Sequence, residues 1–148
     1  MIAVDTNILV YADRSSTPHH ARAVAMLRTL AEGTTPWAIP IFCLGEFLRV
    51  VTHPRVFSPP TPPEEALRAL ENLFRSPSLR LLYPGPGYWA IFQQYVRDGH
   101  ATGNLVFDAQ IAAVCVERGA DTLLTEDRDF LRFRGIQIRS LSGPEETR

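Results

Sequence analysis

The chain opens with Met1-Ile2-Ala3-Val4-Asp5-Thr6-Asn7-Ile8-Leu9-Val10-Tyr11-Ala12, and this stretch decides the fold. The run Ile2–Val4 is apolar and too short for a helix, which predicts a buried strand. A helix is expected to begin near Ile8, with Thr6 and Asn7 as candidate caps, because their side-chain oxygens can accept backbone N–H groups. Asp5 then stands at the exit of a buried strand, where open α/β sheets build their sites. Removing a carboxylate from water is unfavourable, so Asp5 needs a positive or hydrogen-bonding partner.

The composition is that of one ordinary globular domain. The 148 residues are 45% hydrophobic and 21% charged, which suffices for a single core. No apolar run reaches the roughly 18 residues of a membrane span, and no basic and apolar leader precedes the first strand, so the sequence predicts a cytoplasmic protein without membrane contact. The net charge of −1 argues against a broad surface that coats nucleic acid.

Residue usage excludes several classes of enzyme. All 15 basic residues are arginine. Without lysine the chain cannot carry the usual phosphate-binding P-loop, form a Schiff base or belong to the lysine-dependent aspartyl-phosphate proteins, which also place an Asp after their first strand. Cys43 and Cys115 lack metal-ligand spacing and lie in apolar stretches, so both are expected to be buried free thiols.

Short apolar runs alternate with longer helical patterns along the chain. This alternation predicts the α/β class, with one domain built on a mainly parallel central sheet of about five strands flanked by helices. The predicted strands are Ile2–Val4, Trp37–Ile41, Leu79–Leu82, Thr122–Thr125 and Ile136–Arg139. The domain is expected to span residues 1–141, followed by a polar tail over 142–148.

Two further acidic positions fall where a site could form. Asp108 lies on a buried stripe of an apolar helical segment, although a buried Asp can equally cap a loop or pair with an Arg. Asp127 lies in an acidic turn just past the fourth predicted strand, although such a turn is often only a solvated helix cap. If strands one and four are parallel neighbours, Asp5 and Asp127 lie at the same edge of the sheet.

Carboxylates that converge at one edge cannot all ionise without a cation. No His or Cys cluster accompanies them, so oxygen ligation favours Mg²⁺, with Mn²⁺ as the second choice, over zinc. Such an ion can acidify a bound water and stabilise charge on a phosphoryl group. Glu46 has no comparable support, because on its predicted helix it points away from the apolar stripe, as a solvated Glu would.

Four segments together resemble the motifs of PIN-domain ribonucleases, and most of all the VapC-type toxins of bacterial type II toxin–antitoxin modules. They are Asp5–Ala12, Glu46–Phe57, Phe107–Ala113 and Leu124–Phe130, in the order and spacing of that family. The resemblance implies a PIN-like fold. It also implies a quartet of catalytic acids, namely Asp5, Glu46, Asp108 and Asp127.

The same resemblance implies roles for the residues around the quartet. Asp5 and Asp108 are expected to bind Mg²⁺ directly, while Glu46 and Asp127 hold its waters or a second ion. Three residues are expected in support: Thr125 near the metal, Asn7 orienting Asp5, and Asp129 as a more variable acid.

A metal-dependent endoribonuclease is the activity that the resemblance implies, a hydrolase of RNA phosphodiester bonds that acts as a toxin. A homodimer and a small cognate antitoxin are the expected partners. The amphipathic helices after Pro18 and Pro63 are candidate surfaces, although each could equally pack only on the core. Three alternatives stay open. One is a catalytically weak module that chiefly binds its antitoxin, the second is a metal-dependent DNase or flap-type nuclease, and the third is a plain structural domain.

Four acids repel a polyanion, so an RNA substrate also requires positive side chains near the site. The candidates by proximity to the motifs are Arg14, Arg49, Arg128 and Arg132. The aromatic residues Trp37, Trp89 and Phe92 lie in apolar runs and are expected in the core rather than as base-stacking platforms.

Overall fold

A single sheet forms the centre of the structure, a computed structural model that describes residues 1–143 and 145–146. The strands are β1 (Ile2–Val4), β2 (Trp37–Pro40), β3 (Leu79–Leu82), β4 (Thr122–Leu124), β5 (Gln137–Arg139) and β6 (Glu145–Glu146). Their order across the sheet is β3-β2-β1-β4-β5-β6. Strands β1 to β5 are parallel, and β6 pairs antiparallel with β5. The predicted α/β class with a mainly parallel sheet is confirmed.

Pairs of helices fill the long connections that parallel strands require. The helices are α1 (Thr6–Asp13), α2 (His20–Glu32), α3 (Ile41–Val51), α4 (Pro63–Phe74), α5 (Tyr88–Asp98) and α6 (Leu105–Glu117), and a 3₁₀ turn spans Arg128–Arg132. Local sequence explains their ends: α4 has a proline in its first turn followed by Glu64 and Glu65, which suit the positive end of the helix. Helix α2 ends at Glu32, with Gly33 as its C-cap.

The first helix corrects one prediction. It begins at Thr6 rather than near Ile8, and the expected caps Thr6 and Asn7 are wrong. Asp5 is the N-cap: its backbone is extended, with φ −80° and ψ 161°, and its side chain accepts the N–H of Thr6. Because β1 ends at Val4, Asp5 alone joins strand to helix, and its carboxylate lies at the positive end of α1.

The sheet and the inward faces of the helices enclose the apolar core. Trp37 is fully buried, as predicted, and Cys43 and Cys115 are buried free thiols, also as predicted. The prediction for Trp89 is wrong, since its side chain is 61% exposed. The buried position of α5 is Tyr95, and an α-helix turns about 100° per residue, so Trp89 faces about 120° away from it.

The polar tail expected over 142–148 falls partly on residues 144, 147 and 148, which lie outside the described residues, and Glu145–Glu146 forms β6. The boundary at residue 141 stays a prediction. Among the residues that the structure describes, no helix is long and apolar enough to cross a membrane.

Candidate active site

The candidate site lies where the order of the strands reverses. From β1 the chain moves to β2 and β3 on one side of the sheet, then returns to place β4 and β5 on the other side of β1. Val4 and Leu124 are opposite each other in the parallel pair β1–β4, so Asp5 and Thr125 leave the sheet side by side. This reversal opens a crevice at the carboxyl ends of the strands, the usual place for a site in an open α/β sheet.

Asp5 is buried at the bottom of this crevice, with 5% of its surface exposed. Its Oδ1 accepts the backbone N–H of Thr6 at 2.7 Å, and its Oδ2 accepts the hydroxyl of Thr125 at 2.7 Å. The pKa of Asp5 is raised to about 7, mainly by burial; both hydrogen bonds act to lower it, and the nearby charges of Glu46 and Asp127 act to raise it. The Asp5 carboxylate is thus held in place by hydrogen bonds, although burial makes its ionised form unfavourable.

Thr125 connects three of the predicted site residues through one hydroxyl. It donates to Asp5 and accepts from Asn7 Nδ2 at 3.1 Å and from the backbone N–H of Asp127 at 3.0 Å. The Thr125 hydroxyl has a single proton, which it donates to Asp5. The two groups that donate to its oxygen fix the direction of this hydroxyl. In the described part of the chain, Asn7 Oδ1 is the one buried side-chain oxygen or nitrogen that lacks a hydrogen-bond partner.

Asp108 enters the site from the first turn of α6 and is half-buried. Burial raises its pKa to about 7, and the charges of Asp127, Asp5, Glu46 and Asp129 add to the effect. One carboxylate oxygen from each of Asp108, Asp127 and Asp129 lies within 4.8 Å of the others. Asp127 is held there as the N-cap of the 3₁₀ turn, where its Oδ1 accepts the N–H of Asp129 at 2.9 Å.

Glu46 reaches the same place from α3, where it is half-buried and accepts the hydroxyl of Thr6 at 3.1 Å. It lines a small cleft of about 210 Å³ together with Asp5, Asp108 and Asp127, which we call the inner cleft. The helical pattern gave no signal for this position, because periodicity shows only that Glu46 faces away from the core. Resemblance to a family was the only signal that could have found it.

The donor set fits a hard divalent cation. The inner cleft gathers carboxylates and the hydroxyl and amide groups of Thr6 and Asn7, all oxygen donors of the kind that Mg²⁺ and Mn²⁺ prefer. Cys43 is near, with its Sγ 3.9 Å from Asp5 Oδ1, but burial raises the pKa of this thiol well above its ordinary value. A protonated thiol is a poor ligand, so the site has no soft donor that would favour zinc.

A larger cleft of about 660 Å³, the outer cleft, opens in front of the acids. Its wall includes Glu46, Asp108, Asp127 and Asp129, and also the exposed side chain of Arg49. The outer cleft therefore places one of the predicted cationic residues beside the carboxylates.

The other arginine candidates have different surroundings. Arg14 donates to Thr61 Oγ1 at 3.0 Å and to the Pro59 carbonyl at 2.9 Å, and its guanidinium lies 4.5 Å from the centre of the Phe57 ring. These contacts hold the segment that follows α3. Arg132 pairs with Asp129 at 3.8 Å and donates to the Gly99 carbonyl at 2.8 Å.

Comparisons with known proteins agree with this architecture. The family profile described as "PIN domain" matches residues 2–136. Ribonuclease VapC43 of Mycobacterium tuberculosis is 41% identical over 139 residues, which cover 94% of each chain.

Solved structures share the fold at lower identity. The VapBC2 complex of Rickettsia felis, bound to a DNA fragment from its promoter, matches with a TM-score of 0.66 and 24% identity, over 95% of this chain and 98% of that one. The sarcin-ricin loop cleaving toxin VapC20 of Mycobacterium tuberculosis matches with a TM-score of 0.63 and 20% identity, over 88% of this chain and 92% of that one.

The raised pKa values make the stability of the metal-free protein depend on pH. Asp108 titrates near 7 in the folded chain and near 3.8 when unfolded, so between these values the folded state binds more protons. Its contribution to the free energy of unfolding therefore falls as pH rises through this window. We expect Asp108→Asn to raise the melting temperature in EDTA by a few degrees at pH 8 and to have little effect at pH 4.

Circular dichroism melts across this pH range measure the difference between variant and parent. Glu71→Gln, on the exposed face of α4, is the matched control and should show no pH-dependent gain. A melting temperature for Asp108→Asn at or below that of the parent at pH 8 would show that Asp108 carries no electrostatic penalty.

Proposed function

Since this chain belongs to the PIN-domain family, and within it to the VapC ribonucleases, we propose that it is a divalent-metal-dependent endoribonuclease. It acts in the cytoplasm as the toxin of a toxin–antitoxin module. The observation that carries the proposal is the convergence of Asp5, Glu46, Asp108 and Asp127 on the inner cleft. Hydrolysis of a phosphodiester requires a group that offsets charge on the phosphate, and a cation held by these acids can do so.

Each member of the site has a separate task. Asp5 and Asp108 would hold Mg²⁺ or Mn²⁺ directly, and Glu46 and Asp127 would hold its waters or a second ion. The ion would lower the pKa of water and supply positive charge for the phosphoryl group. The high pKa values of Asp5 and Asp108 in the metal-free chain fit this role, because a nearby cation favours their ionised form.

Neighbouring residues hold the acids in position. Thr125 keeps Asp5 in one rotamer through the hydrogen bond to Oδ2 and joins Asp127 to it through the backbone N–H. Asn7 fixes the direction of the Thr125 hydroxyl by donating to it. Asp129 lies at the open side of the acids, where it adds negative charge to the cation site.

An antitoxin and a second copy of the chain are the proposed protein partners. Helices α2 and α4, expected to supply a docking surface, line an apolar groove of about 610 Å³ that includes Leu27, Ala31, Leu70 and Leu73. Proteins that share this fold were solved as VapBC complexes, which supports a protein partner for this chain. Sedimentation of the chain alone and with its antitoxin tests both partners: a monomer would contradict the dimer, and no complex would contradict the antitoxin.

Substitution of the acids should abolish cleavage. We expect Asp5→Asn and Asp108→Asn each to lower the rate of RNA cleavage in Mg²⁺ or Mn²⁺ by at least about 100-fold, because each removes a ligand of the ion that stabilises the transition state. EDTA should stop cleavage by the parent, and Glu71→Gln should cleave as the parent does. The measurement is cleavage of end-labelled tRNA, rRNA fragments and mRNA by purified protein.

Three results would each contradict a different part of this proposal. Cleavage that survives Asp5→Asn or Asp108→Asn would exclude the four-carboxylate mechanism. Absence of turnover on all RNA pools, with tight antitoxin binding retained, would favour a module that chiefly binds its antitoxin. Preferential cleavage of single-stranded or flapped DNA would favour a DNase.

Arg49 is proposed to contact an RNA phosphate, since it lines the outer cleft beside the acids. Each phosphate contact to a single strand contributes about 0.7 to the slope of log K against log salt concentration. Arg49→Ala should therefore weaken RNA binding and reduce the magnitude of that slope by about this amount. Arg68→Ala, on the exposed face of α4, should leave the slope unchanged. A slope unaffected by Arg49→Ala would contradict the contact.

A further inference from the structure

The outer cleft has an apolar wall that a metal-dependent cleavage reaction does not by itself require. The lining of the cleft includes the acids and Arg49. It also includes four hydrophobic side chains, namely Phe42, Leu105, Phe107 and Ile111, which form the apolar wall. With a cation held by the acids, a ligand in this cleft would meet positive charge and apolar surface together.

Phe107 is the most exposed member of the apolar wall, with 59% of its surface accessible. It directly precedes Asp108 in the first turn of α6. Ile111 lies four residues later on the same helical face and is almost fully buried. Phe107 thus ends an apolar stripe that runs from the core into the cleft that Asp108 also lines.

Phe42 contributes to the wall from α3 and packs against an aromatic residue of α5. Its ring lies 6.1 Å from that of Tyr88, which stacks on Phe92 at 5.6 Å with an angle of 7° between the ring planes. Phe107, by contrast, presents its ring to solvent. The cleft therefore offers one packed aromatic ring and one accessible aromatic ring.

A single-stranded nucleotide has the chemistry that fits this arrangement. Its phosphate is anionic, its base is a flat aromatic ring with apolar faces, and the two are joined by one sugar. Bases splayed out of a single strand stack on aromatic side chains, and this contact is worth about 5-fold to 150-fold in affinity per base. A base within a duplex is already stacked and paired, so it would have to leave the helix first.

We propose that Phe107 is a base-stacking residue that binds the unpaired base next to the scissile phosphate of RNA. This inference rests on the proposed ribonuclease function and names the substrate feature that the same site reads. Stacking on Phe107 places the sugar–phosphate link over the acids and restricts cleavage to single-stranded segments. Asn104, exposed at the start of α6 and part of the same cleft, offers an amide to the edge of that base.

The test removes the base and the ring separately and together. An RNA oligonucleotide with one mapped cleavage site is prepared intact and with an abasic ribose on either side of the scissile phosphate. Cleavage is measured for the parent, Phe107→Ala, Phe107→Tyr and the control Tyr83→Leu, which changes an exposed aromatic residue outside the cleft. Circular dichroism verifies that each variant is folded.

We expect the parent to lose about 10-fold or more in kcat/KM at one of the two abasic positions, mainly through KM. Phe107→Ala should lower kcat/KM on intact RNA by a similar factor. It should cause no further loss on the abasic substrate, because the stacking contact is already absent there. Phe107→Tyr should retain the parental behaviour, and Tyr83→Leu should match the parent on every substrate.

Two results would contradict the stacking role of Phe107 without contradicting the ribonuclease activity. If the parent cleaves RNA and the abasic penalty persists in Phe107→Ala, the stacking role is excluded while the ribonuclease activity stands. If Phe107→Ala weakens antitoxin binding but leaves RNA kinetics unchanged, Phe107 belongs to the protein interface and the proposal fails.

Absence of cleavage by the parent would contradict the ribonuclease activity itself. Anisotropy of labelled RNA, intact and abasic, then decides the stacking contact. Equal affinities of the parent for intact and abasic RNA would exclude the stacking contact. A lower affinity for abasic RNA in the parent, but not in Phe107→Ala, would support it.

Discussion

Repulsion between carboxylates that the fold forces together is the interaction on which the rest of this structure depends. Asp5 and Asp127 follow neighbouring parallel strands at the point where strand order reverses, and Asp108 and Glu46 reach the same crevice from α6 and α3. Burial is the main cause of the raised pKa values of Asp5 and Asp108, about 7 in each case, and the negative charges of the neighbouring acids raise them as well. A divalent cation offsets the same repulsion at neutral pH.

The scaffold keeps the acids together despite this repulsion. Asp5 is held by the N–H of Thr6 and the hydroxyl of Thr125, and Thr125 is fixed in turn by Asn7. Behind them lies a core whose packing leaves the strand ends little freedom. Rigid placement costs stability in the metal-free chain, and the proposed cation would meet ligands that are already in place.

Sequence patterns predicted the positions of the acids that are placed by the core, namely Asp5, Asp108 and Asp127. The short apolar strands fixed where Asp5 and Asp127 leave the sheet, and the apolar helix around Asp108 placed it on a buried stripe. Glu46 could not be found this way, because periodicity separates core from non-core faces and cannot distinguish a cleft from open solvent. The same limit explains the error at Trp89, an aromatic residue in an apolar run that the helix nevertheless turns outward. The cap at Asp5 was missed because strand and helix follow each other without a linker.

The most direct test of the account is calorimetric titration of the metal-free protein with Mn²⁺ at pH 8, in parent, Asp5→Asn, Asp108→Asn and Glu71→Gln. The account predicts binding by the parent and Glu71→Gln, release of protons that grows as the pH is lowered toward 7, and loss of binding in both Asp variants. Absence of Mn²⁺ binding by the parent, or binding that is unchanged in Asp5→Asn and Asp108→Asn, would contradict the claim that these carboxylates form a cation site.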